Sequence, residues 1–201
     1  MVGTRGRLDF LVNNAGVAVA GEAQEITGAH WTRVLDVNVG GTVNGVLAAY
    51  PIMVKQRSGH IVNIASLAGL GPAPLLVPYG TSKHAIVGLS TSLRCEAVHY
   101  GVRVSAVCPA AIETPLLDQD NPADLPAISW HPDMRRFLTC MAGPPYPVER
   151  FADEALRGVE KNRAVIVIPA RARLAWRLGR LLPGLTEKIV QTAVAAERRL
   201  R

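Results

Sequence analysis

HIVNIASLAGLGPAPLLVPYGTSK, residues 60–83, passes from an apolar run through a Gly/Pro-rich connection into a segment of helical character. His60 to Ala65 reads as a buried strand ending in Ser66, and a helix opens near Pro78, since proline suits a first helical turn. That helix carries Tyr79 and Lys83. Residues four apart share a helical face, so the phenol and the ammonium can point into one cavity. A phenol titrates near pH ~10, and a fixed cation beside it favours the phenolate. The spacing therefore predicts that Lys83 lowers the Tyr79 pKa and makes it an acid and base usable near neutrality.

Upstream, Leu8 to Val12 is a short apolar strand with Asp9 near its start, ending at Asn13-Asn14-Ala15-Gly16. Gly16 lets backbone lie close to a ligand and the Asn side chains can tie down strand ends, although an ordinary turn has the same composition. Residues 28–57 carry a long helical pattern through Trp31, Val34, Leu35, Val39, Val43, Val46 and Leu47, with Asn38 inside it. An interior Asn gains nothing from helix propensity, because its amide competes for backbone hydrogen bonds. Gly40, Gly41 and Gly45 suit close helix packing. Downstream, residues 79–100 form a helix with Ile86, Leu89, Leu93 and Val98 broadly on one side, and Val102 to Val107 a further strand. Residues 115–150 are rich in Pro and poor in periodicity, which predicts an irregular lid over the substrate. Trp130, Phe137, Leu138 and Met141 give that lid an apolar surface suited to a hydrophobic substrate. A helix over Val148 to Lys161 and a strand over Ala164 to Ile168 complete an alternation that predicts an α/β fold, a parallel sheet covered by helices with ligands at the carboxyl ends of the strands.

Ser66 thirteen residues before Tyr79, the Asn13-Asn14-Ala15-Gly16 turn, Asn38 in VLDVNVGGT and the Pro109 to Thr114 loop fall in one order. That set resembles the short-chain dehydrogenase/reductase family over residues 7 to about 168. The resemblance implies a Rossmann-like, doubly wound sheet and hydride transfer between NAD or NADP and an alcohol or ketone. It implies a catalytic set of Asn38, Ser66, Tyr79 and Lys83. Tyr79 would exchange the hydroxyl proton, Ser66 would bond the substrate oxygen, Lys83 would hold the nicotinamide ribose, and Asn38 would position a relay water. The implied cofactor contacts are Asn13, Asn14, Ala15, Gly16, Tyr79, Lys83, Pro109, Ile112 and Thr114, the last two beside the carboxamide. Ala110 stands where the family has Gly, leaving the backbone there less free to approach.

Family members begin with a strand, a Gly-rich turn and a helix that bind the pyrophosphate. No G-x-G-x-x-G or G-x-x-x-G-x-G follows a strand here, and the chain starts where a fourth strand would stand. An N-terminally truncated member is expected, with Leu8 to Val12 as a bare edge strand prone to association and only weak cofactor binding. The alternatives are a non-catalytic remnant that binds a partner and a membrane-surface adaptor.

With 201 residues, 49% hydrophobic and 19% charged, the chain suits one domain with a sizeable core. Cys95, Cys108 and Cys140 are odd in number and widely spaced, which predicts reduced thiols of a cytoplasmic protein and no metal site. Neither a signal peptide in MVGTRGRLDF nor a run of about eighteen apolar residues is legible. The net charge of +6 is uneven, since residues 163–201 hold nine Lys/Arg against two Asp/Glu. The rest is nearly neutral, which argues against nucleic acid as a partner. Residues 1–168 are thus expected to form the catalytic domain, with the lid at 115–150, and 169–201 a basic amphipathic helical tail. In that tail Leu174, Leu178, Leu181, Leu182 and Leu185 share one face and Arg173, Arg177 and Arg180 another. It could dock on the domain, pair with a second subunit of a homo-oligomer, or touch a membrane weakly from the cytoplasm.

Overall fold

In the computed structural model four parallel strands form one sheet in the order β1 (Phe10–Asn13), β2 (Gly59–Ile64), β3 (Val102–Pro109) and β4 (Val165–Ile168). The described residues are 6–201; the first five, part of the N-terminal stretch read above for a signal peptide, lie outside them. Register runs Val12 against Val62, Val62 against Ser105 and Val107 against Ile166. Strand period two sends Ile61, Asn63, Val104 and Ala106 to one face and Val62, Val107 and Ile166 to the other.

The first face is covered by α2 (Gly41–Gln56), α3 (Val77–Ala97) and α6 (Ala170–Leu181). Ala49 and Met53 pack on Ile61 and Val104, and Ile86, Ala172 and Trp176 on Ala106 and Val167. The second face is covered over β3 and β4 by α5 (Val148–Glu160), through Val159, Phe151 and Ala155. Helices on both faces of a parallel sheet make the doubly wound arrangement expected. Phe10 and Val12 of β1 stay exposed on the second face.

The helix expected over 28–57 is continuous but not uniform. α1 (Gly28–Leu35) passes through a π-helical turn, Asp36–Gly40, into α2. A π turn inserts one residue and resets the phase of the helix. The apolar stripe read across it therefore fails beyond the turn. Leu47 is exposed, and Asn38, Thr42, Ala49 and Met53 form the buried line instead. This 29-residue helix is also long and apolar enough to cross a membrane, a feature that scattered Thr, Asn and Gly hide from a search for an unbroken run. Here it packs on β1 and β2. Of its glycines, only Gly45 is forced: an added Cβ would stand 2.1 Å from Asn13 Oδ1, whereas Gly41 has open space.

Two further expectations change. α3 ends in a 3₁₀ turn, Val98–Tyr100, which buries Ala97 and turns Val98 outward. Within 115–150 a helix, α4 (Met134–Ala142), is capped by Asp133, whose carboxylate accepts from the Arg136 N–H at 2.9 Å. Phe137 is fully buried and anchors the segment instead of lining it. The tail is broken by Pro183 into α6 and α7 (Pro183–Arg198), and α7 packs back on α4.

Candidate active site

Ser66 follows β2 by two residues, because the chain turns there into a 3₁₀ turn that Ser66 caps, its hydroxyl accepting from the Ala68 N–H at 3.1 Å. Glycines let α3 sit hard against this turn. An added Cβ on Gly69 would meet the Lys83 carbonyl oxygen at 2.5 Å, and one on Gly80 the Ala73 Cβ at 2.8 Å. The first turns of α3 thereby bring Tyr79 and Lys83 to the end of β2, as the four-residue spacing predicts.

Lys83 is buried and donates to the Ile64 carbonyl at 2.9 Å, its Nζ 5.5 Å from the centre of the Tyr79 ring. Burial lowers its pKa to about 8. Tyr79 moves the other way. Burial pushes the phenol above 10, the Ser66 hydroxyl draws it partly back, and Cys108 raises it further. The expected lowering by Lys83 is thus corrected. The ammonium stands over the ring face, where it is spent on Ile64, and desolvation of the phenolate outweighs it. Cys108, at the end of β3, is itself pushed up to about 12 by burial and is an inert thiol here.

Asn38 is brought inward by the π turn and its amide is fully used. Nδ2 donates to the Val17 carbonyl at 3.0 Å and to Ser82 Oγ at 2.9 Å, while Oδ1 accepts from the Val17 N–H at 2.8 Å. It clamps the turn after β1 to the residue beside Lys83. Gly16, in that turn, lies over the pair: an added Cβ would stand 3.3 Å from Asn38 Oδ1 and 3.5 Å from Lys83 Nζ. Asn13 does tie strands together, donating to Asn63 Oδ1 at 2.8 Å, and Asn63 donates to Ser90 Oγ at 2.9 Å. Asn14 and Ala15 are exposed.

Pro109 closes β3 with its carbonyl 3.5 Å from Ser66 Oγ, and the Ala110 N–H donates to the Ile168 carbonyl at 2.8 Å. Ile112 bridges to Tyr146, and the Thr114 hydroxyl donates to the Ile112 carbonyl at 3.3 Å beside an open cleft lined by Glu113, Thr114 and Asp118. Asn38, Ser66, Tyr79, Lys83, Gly16 and Pro109 therefore converge, with Ile112 and Thr114 on the adjoining loop. Ser82, Asn63 and Gly69 were not legible as site residues. Asn63 alone left a signal, a polar residue inside an apolar strand.

A family model for short chain dehydrogenases matches residues 1–125. The chain belongs to the short chain dehydrogenase family. Among this family's curated members, D-beta-hydroxybutyrate dehydrogenase of Rhizobium meliloti is 37% identical over 117 residues, 58% of this chain and 45% of that protein. An uncharacterized oxidoreductase of Thermotoga maritima is 43% identical over 115 residues, 56% of this chain and 45% of that protein. This short chain dehydrogenase spans about half the length of the curated relatives it matches. Among solved structures, a short chain dehydrogenase/reductase from Burkholderia phymatum in complex with NAD is 29% identical with a TM-score of 0.77, over 92% of this chain and 69% of that one. One from Sphingobium yanoikuyae in complex with NADPH is 27% identical with a TM-score of 0.67, over 89% and 64%.

Proposed function

We propose that the protein is an NAD(P)-dependent oxidoreductase acting on an alcohol or carbonyl carbon of an apolar substrate. The observation that carries this reading is the meeting of Ser66, Tyr79 and Lys83 at the end of β2, beneath Gly16. Family membership and the NAD- and NADPH-bound neighbours support it.

The residues fit the nicotinamide end of such a cofactor. Gly16 leaves bare backbone above Lys83, and Lys83 spends only one of its three donors on Ile64. Lys83, Tyr79, Asn13 to Gly16, Pro109, Ile112 and Thr114 would hold it. When bound, the nicotinamide supplies or takes up the hydride. In reduction Tyr79 gives its hydroxyl proton to the substrate oxygen, and in oxidation its phenolate takes that proton. Ser66 bonds the same oxygen and orients it. Asn38, through Val17 and Ser82, holds the turn and α3 at a fixed separation and so positions Lys83. The segment 115–150 covers the substrate, with half-buried Leu138 and Met141 as its apolar surface. The outward side of α2, where Leu47 is 67% exposed, supports assembly into a homo-oligomer.

The test is NADH- and NADPH-dependent turnover of a ketone panel by wild type and Tyr79→Phe. The variant is expected to lose on the order of a hundredfold or more in kcat while still binding cofactor. Wild-type turnover in the variant overturns the assignment.

A further inference from the structure

The two tail helices leave a stripe unexplained by the site. Leu174, Leu178 and Leu181 of α6 and Leu182, Leu185 and Ile189 around α7 are each 50% exposed or more. At ~100° per residue, Leu174, Leu178 and Leu181 lie nearly opposite Ala172 and Trp176, the residues that pack on the sheet. The tail is therefore docked by one side, and the leucines face away from the domain. Docking does not cover them.

Beside this stripe lies positive charge. Arg173, Arg177 and Arg180 form the neighbouring row on α6. Arg173 also lines a cavity of about 160 Å³ with Arg157, Lys161 and Arg163 along the edge of β4. None of these four has a carboxylate within 4 Å among the described residues, and the one acid lining the cavity, Glu154, accepts from the Tyr146 hydroxyl at 2.6 Å. Residues 170–189 hold five Lys/Arg against one Asp/Glu.

We propose that this face binds an anionic phospholipid surface, with the leucines entering the interface and the arginines and the β4-edge cavity taking lipid phosphates. The charge selects this occupant over a second copy. A two-fold contact sets each patch against itself, so Arg173 and Arg177 would meet their own copies across the leucines, and residues 1–162, at a net charge of −1, offer no acidic counterpart. An anionic bilayer supplies apolar depth and negative charge together. Because the helices are already folded on the domain, binding orders little more chain.

The test is co-sedimentation of the full chain with phosphatidylcholine vesicles, with and without phosphatidylglycerol. Binding is expected only with phosphatidylglycerol, and raised salt should reverse it. Arg177→Ala and Arg180→Ala should each weaken it about fivefold, and Leu178→Ser with Leu181→Ser about tenfold or more. All four side chains are solvent-facing, and circular dichroism checks that the fold persists. Equal binding to both vesicles, no binding to either, or leucine variants that change only the mass in sedimentation equilibrium overturn the proposal. Ketone turnover is read separately in the same samples, so failure of one reading leaves the other standing.

Discussion

Lys83 is held in the protein by one hydrogen bond, from its Nζ to the Ile64 carbonyl, and burial lowers its pKa from 10.5 to about 8. Because the folded pKa lies below the unfolded one, its contribution to stability is full above pH 10.5 and falls away as pH drops to 8. Below that, the buried ammonium costs on the order of 3 kcal/mol. Lys83→Met should raise the unfolding free energy at pH 7 by about 1–2 kcal/mol, less than the full cost because the Ile64 carbonyl is left unpaired. No such gain should appear at pH 11. Urea denaturation at the two values checks this, and activity should be lost at both. The phenol titrates upward, with Ser66 pulling it down. The kcat/KM for alcohol oxidation, which needs the phenolate, should therefore climb with pH, and Ser66→Ala should move that climb to higher pH as well as slow it. Tyr79, Lys83 and Ser66 were legible because local spacing places them. The partners of Asn38 were not, since Val17 and Ser82 lie 21 and 44 residues away in sequence.

At the level of elements, α2 shows how one glycine differs from its neighbour. Gly→Ala in a helix usually stabilises by up to about 1 kcal/mol. Gly41, with open space at its Cβ, should follow that rule. Gly45 should break it, because a Cβ there would collide with Asn13 Oδ1 and disturb the Asn13–Asn63–Ser90 chain that joins β1, β2 and α3. The expected result is a loss of roughly 2 kcal/mol for Gly45→Ala and a gain for Gly41→Ala, read from thermal melts of the two variants. Equal shifts would mean that α2 does not press on β1 as described. The alternation of strands and helices was legible because apolar periodicity is a local property. The π turn was not, for its inserted residue changes the face of everything after Asp36 while leaving composition untouched. α4 was hidden for a related reason: its prolines mark the flanks, and only Asp133 signals where the helix starts.

Across the whole molecule, the far end of the chain closes over the segment that covers the site. Arg198 donates through Nε and Nη2 to both carboxylate oxygens of buried Glu22, each at 2.7 Å, and Arg136 of α4 donates to buried Glu197 at 2.5 Å. One turn of α7 thus ties the loop after β1 to α4, while Asn121 exchanges two hydrogen bonds with Ala20 beneath it, at 2.8 and 2.7 Å. The hydrogen bond from Arg198 holds the Glu22 carboxyl below its usual 4.5. A lowered carboxyl stabilises the fold above that pH and loses the contribution as pH falls below it, so the latch should open in acid before the sheet unfolds. Glu22→Gln and Glu197→Gln each leave an arginine without its charge partner, though both arginines are about half exposed, and the expected cost is about 1–2 kcal/mol apiece. The measurement is amide hydrogen exchange at neutral pH. Protection should drop across residues 115–142 and in α7, with β2 and β3 unchanged, because the free energy of local opening is set by these ion pairs and not by the packing of the core. A uniform drop would make the carboxylates part of the global fold. Protection unchanged from wild type would mean that the latch does not hold the segment.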